Sequence, residues 1–270
     1  MKKIIILTGG GSLPEEVVKK LKRENISFFC LVFEKNPVSR FILKNKHKVI
    51  NFGKIISELN FLKTQGFNRI IMVGNLNRPN ITDIKPDINS IKLIPLFTEI
   101  LFKGGDNNLL TFCTNQLNKI GFKVLNLKVI IPEIFLDLGN QTKVKLSKTN
   151  LNDIIKGKLI LDHISKFDIG QSIIVQQGDV IGIEAAQGTD NLIKESNTYL
   201  KKINKPVLIK LAKVKQNLKA DLPTIGLKTV KNCNKYKISG IAYSANKTLF
   251  LQKKKILEYC NSNKIFLYGI

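Results

Sequence analysis

Acidic residues that could serve chemistry stand on three separate loop edges of the second half of this chain. Asp168-Ile169-Gly170-Gln171 precedes a strand, and Glu184-Ala185-Ala186-Gln187-Gly188-Thr189-Asp190 reads as a strand turning into a helix. Lys213, Gln216 and Asp221 flank a third turn, which runs on into Leu222-Pro223-Thr224-Ile225-Gly226. In a chain with only 20 acidic residues, such carboxylates suit Mg²⁺, which takes one or two of them and completes its shell with substrate phosphate and water. Asp168 and Asp190 equally suit helix caps or turns. Pattern alone leaves both readings open.

A second candidate lies at the start. Gly9-Gly10-Gly11-Ser12 falls between an apolar strand and a helix, where glycines let the backbone approach a phosphate and the helix N-terminus offers free N–H groups. The run is neither GxGxxG with a well-placed acidic partner, Glu34 being the one candidate, nor a Walker loop, since GK[ST] is absent. Phosphate binding and a merely tight strand-to-helix turn fit it equally. In Gly74-Asn75-Leu76-Asn77-Arg78-Pro79, Asn75 and Arg78 follow the third strand, where an arginine suits a phosphate or uracil. The alternative there is a solvated turn.

Some chemistries are excluded by what is missing. His47 and His163 are the only histidines and have no ligand spacing, so a binuclear metallophosphatase, which needs several His and Asp ligands, is excluded. His163 reads as a helix-surface or packed residue. No GxSxG motif or Cys/His nucleophile arrangement occurs. Cys30, Cys113, Cys233 and Cys260 show no CxxC spacing and read as free, mostly buried thiols of a reducing cytosol.

The elements that must position these residues alternate between strand and helix. Strands are expected at 3–7, 27–33 and 69–73, with a helix from Leu13 capped by Ser12 and another near 55–65. Residues 90–120 are mainly helical, broken by Lys103-Gly104-Gly105-Asp106, and a strand at 122–129 leads out of the first domain. A helix at 150–167, strands at 172–176 and 180–184, a helix from Thr189 and a strand at 207–212 follow. This alternation predicts an α/β protein: an N-terminal Rossmann-like, doubly wound parallel-sheet domain (1–131), a linker (132–146) and a C-terminal α/β domain (147–270).

The length of 270 residues fits one large or two modest domains, and 43% hydrophobic residues suffice for a core without staples. The formal net charge of +24 points at first to polyanions. Yet only Arg23, Arg40, Arg69 and Arg78 of the 44 basic residues are arginine, and the lysines are spread along the chain. A nucleic-acid binder favours arginine for bidentate contacts. Compositional drift with solvated helix faces is the better reading, and no nucleic-acid partner is expected. The apolar run 4–7 is too short for a secretory signal, and no stretch is long and apolar enough to span a bilayer, so a cytoplasmic location is expected.

Together, Gly9-Gly10-Gly11-Ser12-Leu13-Pro14, Gly74-Asn75…Arg78-Pro79, Lys103-Gly104…Asp106, Asp168-Ile169-Gly170-Gln171, Glu184-Ala185…Gly188-Thr189-Asp190 and Asp221-Leu222-Pro223-Thr224-Ile225-Gly226 resemble the alphaproteobacterial-type UDP-2,3-diacylglucosamine pyrophosphatases of lipid A biosynthesis. The last two segments are the most specific. The resemblance implies a UDP-binding N-terminal domain and a catalytic, lipid-binding C-terminal domain. It implies hydrolysis to UMP and 2,3-diacylglucosamine 1-phosphate, with Mg²⁺ or another divalent cation such as Mn²⁺ assisting water attack on the α-phosphorus. It makes Asp221 the essential aspartate and a metal ligand, with water activation as the competing role, and Glu184 and Asp190 further metal ligands. Lys213 would neutralise a nonbridging oxygen; Gly10, Gly11, Ser12, Asn75 and Arg78 would face the UDP portion, and Gly188, Thr189 and Thr224 the substrate. It also implies a nucleotide-linked glycolipid as partner and a peripheral seat on the inner membrane, and a homodimer is plausible since homo-oligomers are common. The chain departs from the family at Lys219, where Arg is common, and at Val214, where Pro is common. The alternative is a non-catalytic nucleotide-sugar or lipid-binding protein of the same fold.

Overall fold

The computed structural model describes residues 3–77, 79–103, 105–202 and 204–270, and the chain forms two compact units. The first comprises Met1–Pro132 together with Asn217–Asp221, and the second Glu133–Gln216 with Leu222–Ile270.

In the first unit, β1 (Lys3–Thr8), β2 (Ser27–Phe33), β3 (His47–Ile50), β4 (Arg69–Val73) and β5 (Lys123–Val124) form one sheet in the order β3-β2-β1-β4-β5. All its pairings are parallel. The run Ile4-Ile5-Ile6-Leu7 is buried throughout, as expected of a central parallel strand covered on both faces. Its neighbours β2 and β4 contribute Leu31, Phe33 and Ile70 to a core closed by Leu59 and Leu62. Those two come from α3 (Ile55–Thr64); α1 (Leu13–Arg23) and α2 (Arg40–Leu43) precede it, and α4 (Ile94–Lys103) and α5 (Asp106–Lys119) follow.

The sequence leaves β3 unread because it is a sheet edge: Ile50 is buried while Val49 stands 51% exposed, so no apolar run marks it. The strand expected at 122–129 stops at Val124. There Asn126 turns the chain into a 3-10 turn over Leu127–Val129 by accepting the Lys128 N–H at 2.8 Å. Ser12 does occupy the N-cap of α1, but its side chain makes no cap hydrogen bond, since its backbone is already helical at φ −87° and ψ −20°.

The second unit holds a mixed sheet in the order β6-β13-β11-β9-β7-β8. Its strands are β6 (Gly139–Asn140), β7 (Ser172–Gln176), β8 (Asp179–Ile183), β9 (Val207–Lys210), β11 (Gly240–Tyr243) and β13 (Phe266–Gly269). β9, β11 and β13 run parallel, whereas β7 is antiparallel to both β9 and β8. A short parallel pair, β10 (Thr224–Ile225) with β12 (Leu249–Phe250), lies beside it in sequence. Residues 133–146 cluster with this unit, and β6 pairs antiparallel with β13. The helices are α6 (Lys148–Ile164), α7 (Gly188–Ser196), α8 (Leu227–Lys235) and α9 (Lys253–Ser262). A reciprocal capping box between Ser147 and Asn150 starts α6 two residues earlier than the apolar pattern indicates. No helix among the described residues is long and apolar enough to cross a membrane.

Candidate active site

In the first unit, the glycine loop follows β1 and the Gly74–Asn77 loop follows β4, so both lie at carboxyl ends of adjacent strands. Chain order reverses at β1, which is where open parallel sheets collect their ligands. Gly10 N–H donates to the Asn75 carbonyl at 2.8 Å, and Asn75 N–H donates back to the Gly10 carbonyl at 2.9 Å. Two expected site residues are therefore brought together, through their backbones. Glycine at position 9 is a packing requirement, because a Cβ there would stand 2.1 Å from the Asn75 carbonyl oxygen. Gly11 differs: its φ is +94° and a Cβ would meet nothing within 4 Å, so the loop is open on that side. Arg78 lies outside the described residues, as does Gly104. Glu34 accepts a hydrogen bond from Asn51 Nδ2 at 2.8 Å, and the same Asn51 holds the Lys85 N–H at 2.8 Å.

In the second unit, Glu184, expected as a metal ligand, and Thr189, expected to face the substrate, meet each other in a buried network. Glu184, Thr189 and Lys210 are 8%, 7% and 8% exposed. Lys210 Nζ donates to Thr189 Oγ1 at 2.6 Å, and Thr189 Oγ1 donates to Glu184 Oε1 at 2.7 Å. Gln171 N–H donates to Glu184 Oε2 at 3.3 Å, and Ser172 Oγ stands 3.3 Å from Thr189 Oγ1. Burial pushes the Glu184 carboxyl up. The Lys210 charge and hydrogen bonds from Ser172, Thr189 and Gln171 outweigh it and hold the group below the usual glutamate value. Lys210 is the residue that sequence reasoning misses; its only signal is a lysine closing the apolar strand Val207-Leu208-Ile209. Gly188, with φ +75° and open space where a Cβ would stand, opens α7.

Asp190 pairs with Lys228 at 3.3 Å, and its Oδ1 is buried without a hydrogen-bond partner among the described residues. Thr224 donates to the Leu222 carbonyl at 3.1 Å within its own turn. Lys213, expected to face phosphate, is ion-paired with Asp168, which adopts a left-handed turn conformation at φ 55°. Asp168 is thus a turn former that also holds a cation.

Asp221 is half-buried and belongs to the first unit, although the chain on either side of Asn217–Asp221 belongs to the second. The segment is fastened there by Asn217, whose N–H donates to Asn107 Oδ1 at 2.8 Å and whose Nδ2 donates to Thr114 Oγ1 at 2.9 Å.

Among the described residues no three His, Cys, Asp or Glu side chains form a group that could hold a metal ion. Mg²⁺ does not require such a cage, because substrate phosphates and water supply most of its ligands. A carboxylate on a short polar turn, as Asp221 is, fits that mode, and so does the unpartnered Oδ1 of Asp190. Glu184 fits poorly, since both oxygens accept protein hydrogen bonds and its charge is balanced by Lys210.

Family models described as the LpxI N-terminal domain and the LpxI C-terminal domain match residues 3–134 and 137–268. A curated protein of Caulobacter vibrioides, the UDP-2,3-diacylglucosamine pyrophosphatase LpxI, is 26% identical over 279 residues, covering 100% of this chain and 98% of that protein.

Proposed function

The chain belongs to the LpxI family, and from that premise we propose that it hydrolyses the pyrophosphate bond of UDP-2,3-diacylglucosamine in lipid A biosynthesis. The products would be UMP and 2,3-diacylglucosamine 1-phosphate. The first unit is read as a Rossmann-like UDP-binding domain. The strand order around β1 and the open Gly11 side of the loop support that reading. Gly10, Gly11, Ser12, Asn75 and Arg78 are assigned to the UDP portion on this basis, and the second unit to the acylated sugar, with Gly188, Thr189 and Thr224 on its side.

A water oxygen forms a new bond to the α-phosphorus. The bond from that phosphorus to the bridging oxygen breaks, and the bridging oxygen leaves with the lipid phosphate. The leaving phosphate monoester is stable as an anion, so positioning and charge stabilisation carry most of the catalysis. Asp221 orients the attacking water and accepts its proton, or would hold a divalent cation. A bound Mg²⁺ or Mn²⁺ would supply positive charge to the nonbridging oxygens. Lys213 is oriented by its ion pair with Asp168, which balances its charge, and its remaining ammonium N–H groups would donate to a nonbridging oxygen. The excess of lysine supports a peripheral seat on an anionic membrane surface, where such a substrate resides.

The single observation that carries the reading is that Asp221, which the resemblance makes the essential aspartate, belongs to the first unit while its flanking chain does not. Hydrolysis in ¹⁸O-labelled water should place the label in UMP. Asp221→Ala should lower kcat by about 10²-fold or more, the lower end for losing a positioned acid–base group, with the fold retained by circular dichroism. Wild-type turnover by that variant would overturn the assignment. Substrate binding without any UMP release by the unmodified chain would replace the hydrolase by a binding protein.

A further inference from the structure

We propose that Asn217 is a positioning residue for the reaction: it fixes Asp221 on the first unit by joining the backbone of the Asp221 turn to one face of α5. This rests on the hydrolase reading of Asp221 given above.

Every polar group of Asn217 is engaged. Its N–H donates to Asn107 Oδ1 at 2.8 Å, and its Nδ2 donates to Thr114 Oγ1 at 2.9 Å and reaches the Leu110 carbonyl at 3.4 Å. Asn107, Leu110 and Thr114 are spaced three and four residues apart, so they share one face of α5. Toward the turn, Asn217 Oδ1 accepts the Lys219 N–H at 3.2 Å, and its carbonyl accepts the Asp221 N–H at 2.8 Å and the Ala220 N–H at 3.0 Å. One more tie, from Asn126 Nδ2 to the Leu218 carbonyl at 3.0 Å, holds the middle of the segment.

The chemistry of asparagine matches this task. Its amide is a donor and an acceptor on one rigid plane, so it grips the helix with Nδ2 while supporting its own turn with Oδ1. Thr114 is 5% exposed and passes its own hydroxyl proton to the Leu110 carbonyl at 2.8 Å, leaving its oxygen lone pairs for Asn217. Only five residues belong to the first unit in this excursion, and Asn217 stands at its start. An alanine at 217 removes the Nδ2 contacts to Thr114 and Leu110 and the Oδ1 contact to Lys219 together, and leaves, toward the helix, only the backbone N–H tie to Asn107. Misplacement of a reacting group by about 1 Å is enough to cost roughly 10²-fold in rate.

The test uses the full chain and UDP-2,3-diacylglucosamine, with kcat and KM measured for Asn217→Ala, Asp221→Ala, the double variant, Thr114→Val and Thr114→Ser. Asn217→Ala should lower kcat about 10- to 100-fold with KM within about two-fold, since orientation and not substrate binding is lost. In the Asp221→Ala background, single-turnover rates should fall no further when Asn217 is also replaced, because the two residues act as one unit. Thr114→Val, which lacks the acceptor, should lower kcat several-fold, whereas Thr114→Ser keeps it. This pair decides the matter even if Asn217→Ala does not fold. An inactive Asp221→Ala beside a fully active Asn217→Ala overturns the positioning role alone. So does a multiplicative loss in the double variant, or equal rates for Thr114→Val and Thr114→Ser. A fully active Asp221→Ala overturns the hydrolase role of Asp221 first and the positioning role with it.

Discussion

Lys210→Met is the substitution most revealing of how the second unit is held together. Lys210 and Glu184 are each 8% exposed, and Thr189 links them with hydrogen bonds of 2.6 and 2.7 Å. Methionine fills much of the lysine volume, so the change isolates the charge and its hydrogen bond. Removing one partner of a buried charge pair leaves the other uncompensated, at a cost of about 3–5 kcal/mol. At roughly 3–4 °C per kcal/mol for a domain of this size, the melting transition of the second unit should fall by roughly 10–20 °C. The pH dependence has a defined sign. Glu184 is held below the ordinary glutamate value, so its contribution is complete above about pH 4.3 and is lost as pH falls through the lowered value. The deficit of Lys210→Met relative to wild type should therefore be largest near neutrality and shrink in acid, where a protonated Glu184 no longer needs the cation. Calorimetry from pH 8 down to about pH 2.5, through the lowered Glu184 value, measures both quantities. Adding Glu184→Gln to Lys210→Met should recover about 1 kcal/mol or more of the loss, as coupled neighbours do. A loss under about 1 kcal/mol for Lys210→Met, or the same loss at every pH, would refute the network as described.

Other substitutions test the remaining features. Gly9→Ala should destabilise the first unit by about 1–3 kcal/mol or more by denaturant melting, because its Cβ would collide with the Asn75 carbonyl at 2.1 Å; an unchanged midpoint would contradict that geometry. Gly11→Ala meets open space and should cost only about 1–2 kcal/mol for its left-handed backbone, so a larger loss than for Gly9→Ala would invert the reading of the loop. Burial pushes the Cys30 and Cys260 thiols up to about 12 and Cys233 higher still, so a disulfide reagent at pH 8 should leave these three unmodified in native protein and modify all on denaturation. Rapid labelling of two or more thiols in the native state would contradict their burial.

The legible part of the fold is the part where strands are covered on both faces. Ile4–Leu7, Phe28–Phe33 and Ile70–Val73 are unbroken apolar runs, and the structure places strands over all three. Elements whose pattern is weak escaped: the edge strand β3, and everything after Gly226, where α8, β11, α9 and β13 are short and held by contacts with one another. The site divides the same way. The meeting of Glu184 with Thr189 lies five residues apart on one turn and leaves a local trace. Lys210 reaches Thr189 across 21 residues, and Asn217 reaches Thr114 across 103, distances over which composition and spacing carry no signal. Lys213 shows a third case: its charge is plain in the sequence, but its engagement by Asp168, 45 residues away, is a tertiary fact.

The brief excursion of residues 217–221 has a consequence for modularity. Matched as sequence, the chain divides cleanly between 134 and 137, as though two interchangeable parts had been joined. In space, five residues of the later part complete the earlier one. A fragment ending at residue 132 would leave Asn107 and Thr114 facing solvent and would lack Asp221 altogether. A chimera pairing the first part of one relative with the second part of another would have to match the α5 face to a foreign position 217. The two halves are therefore not exchangeable cassettes, and loss of the hydroxyl at 114 or of the amide at 217 should be tolerated only in company.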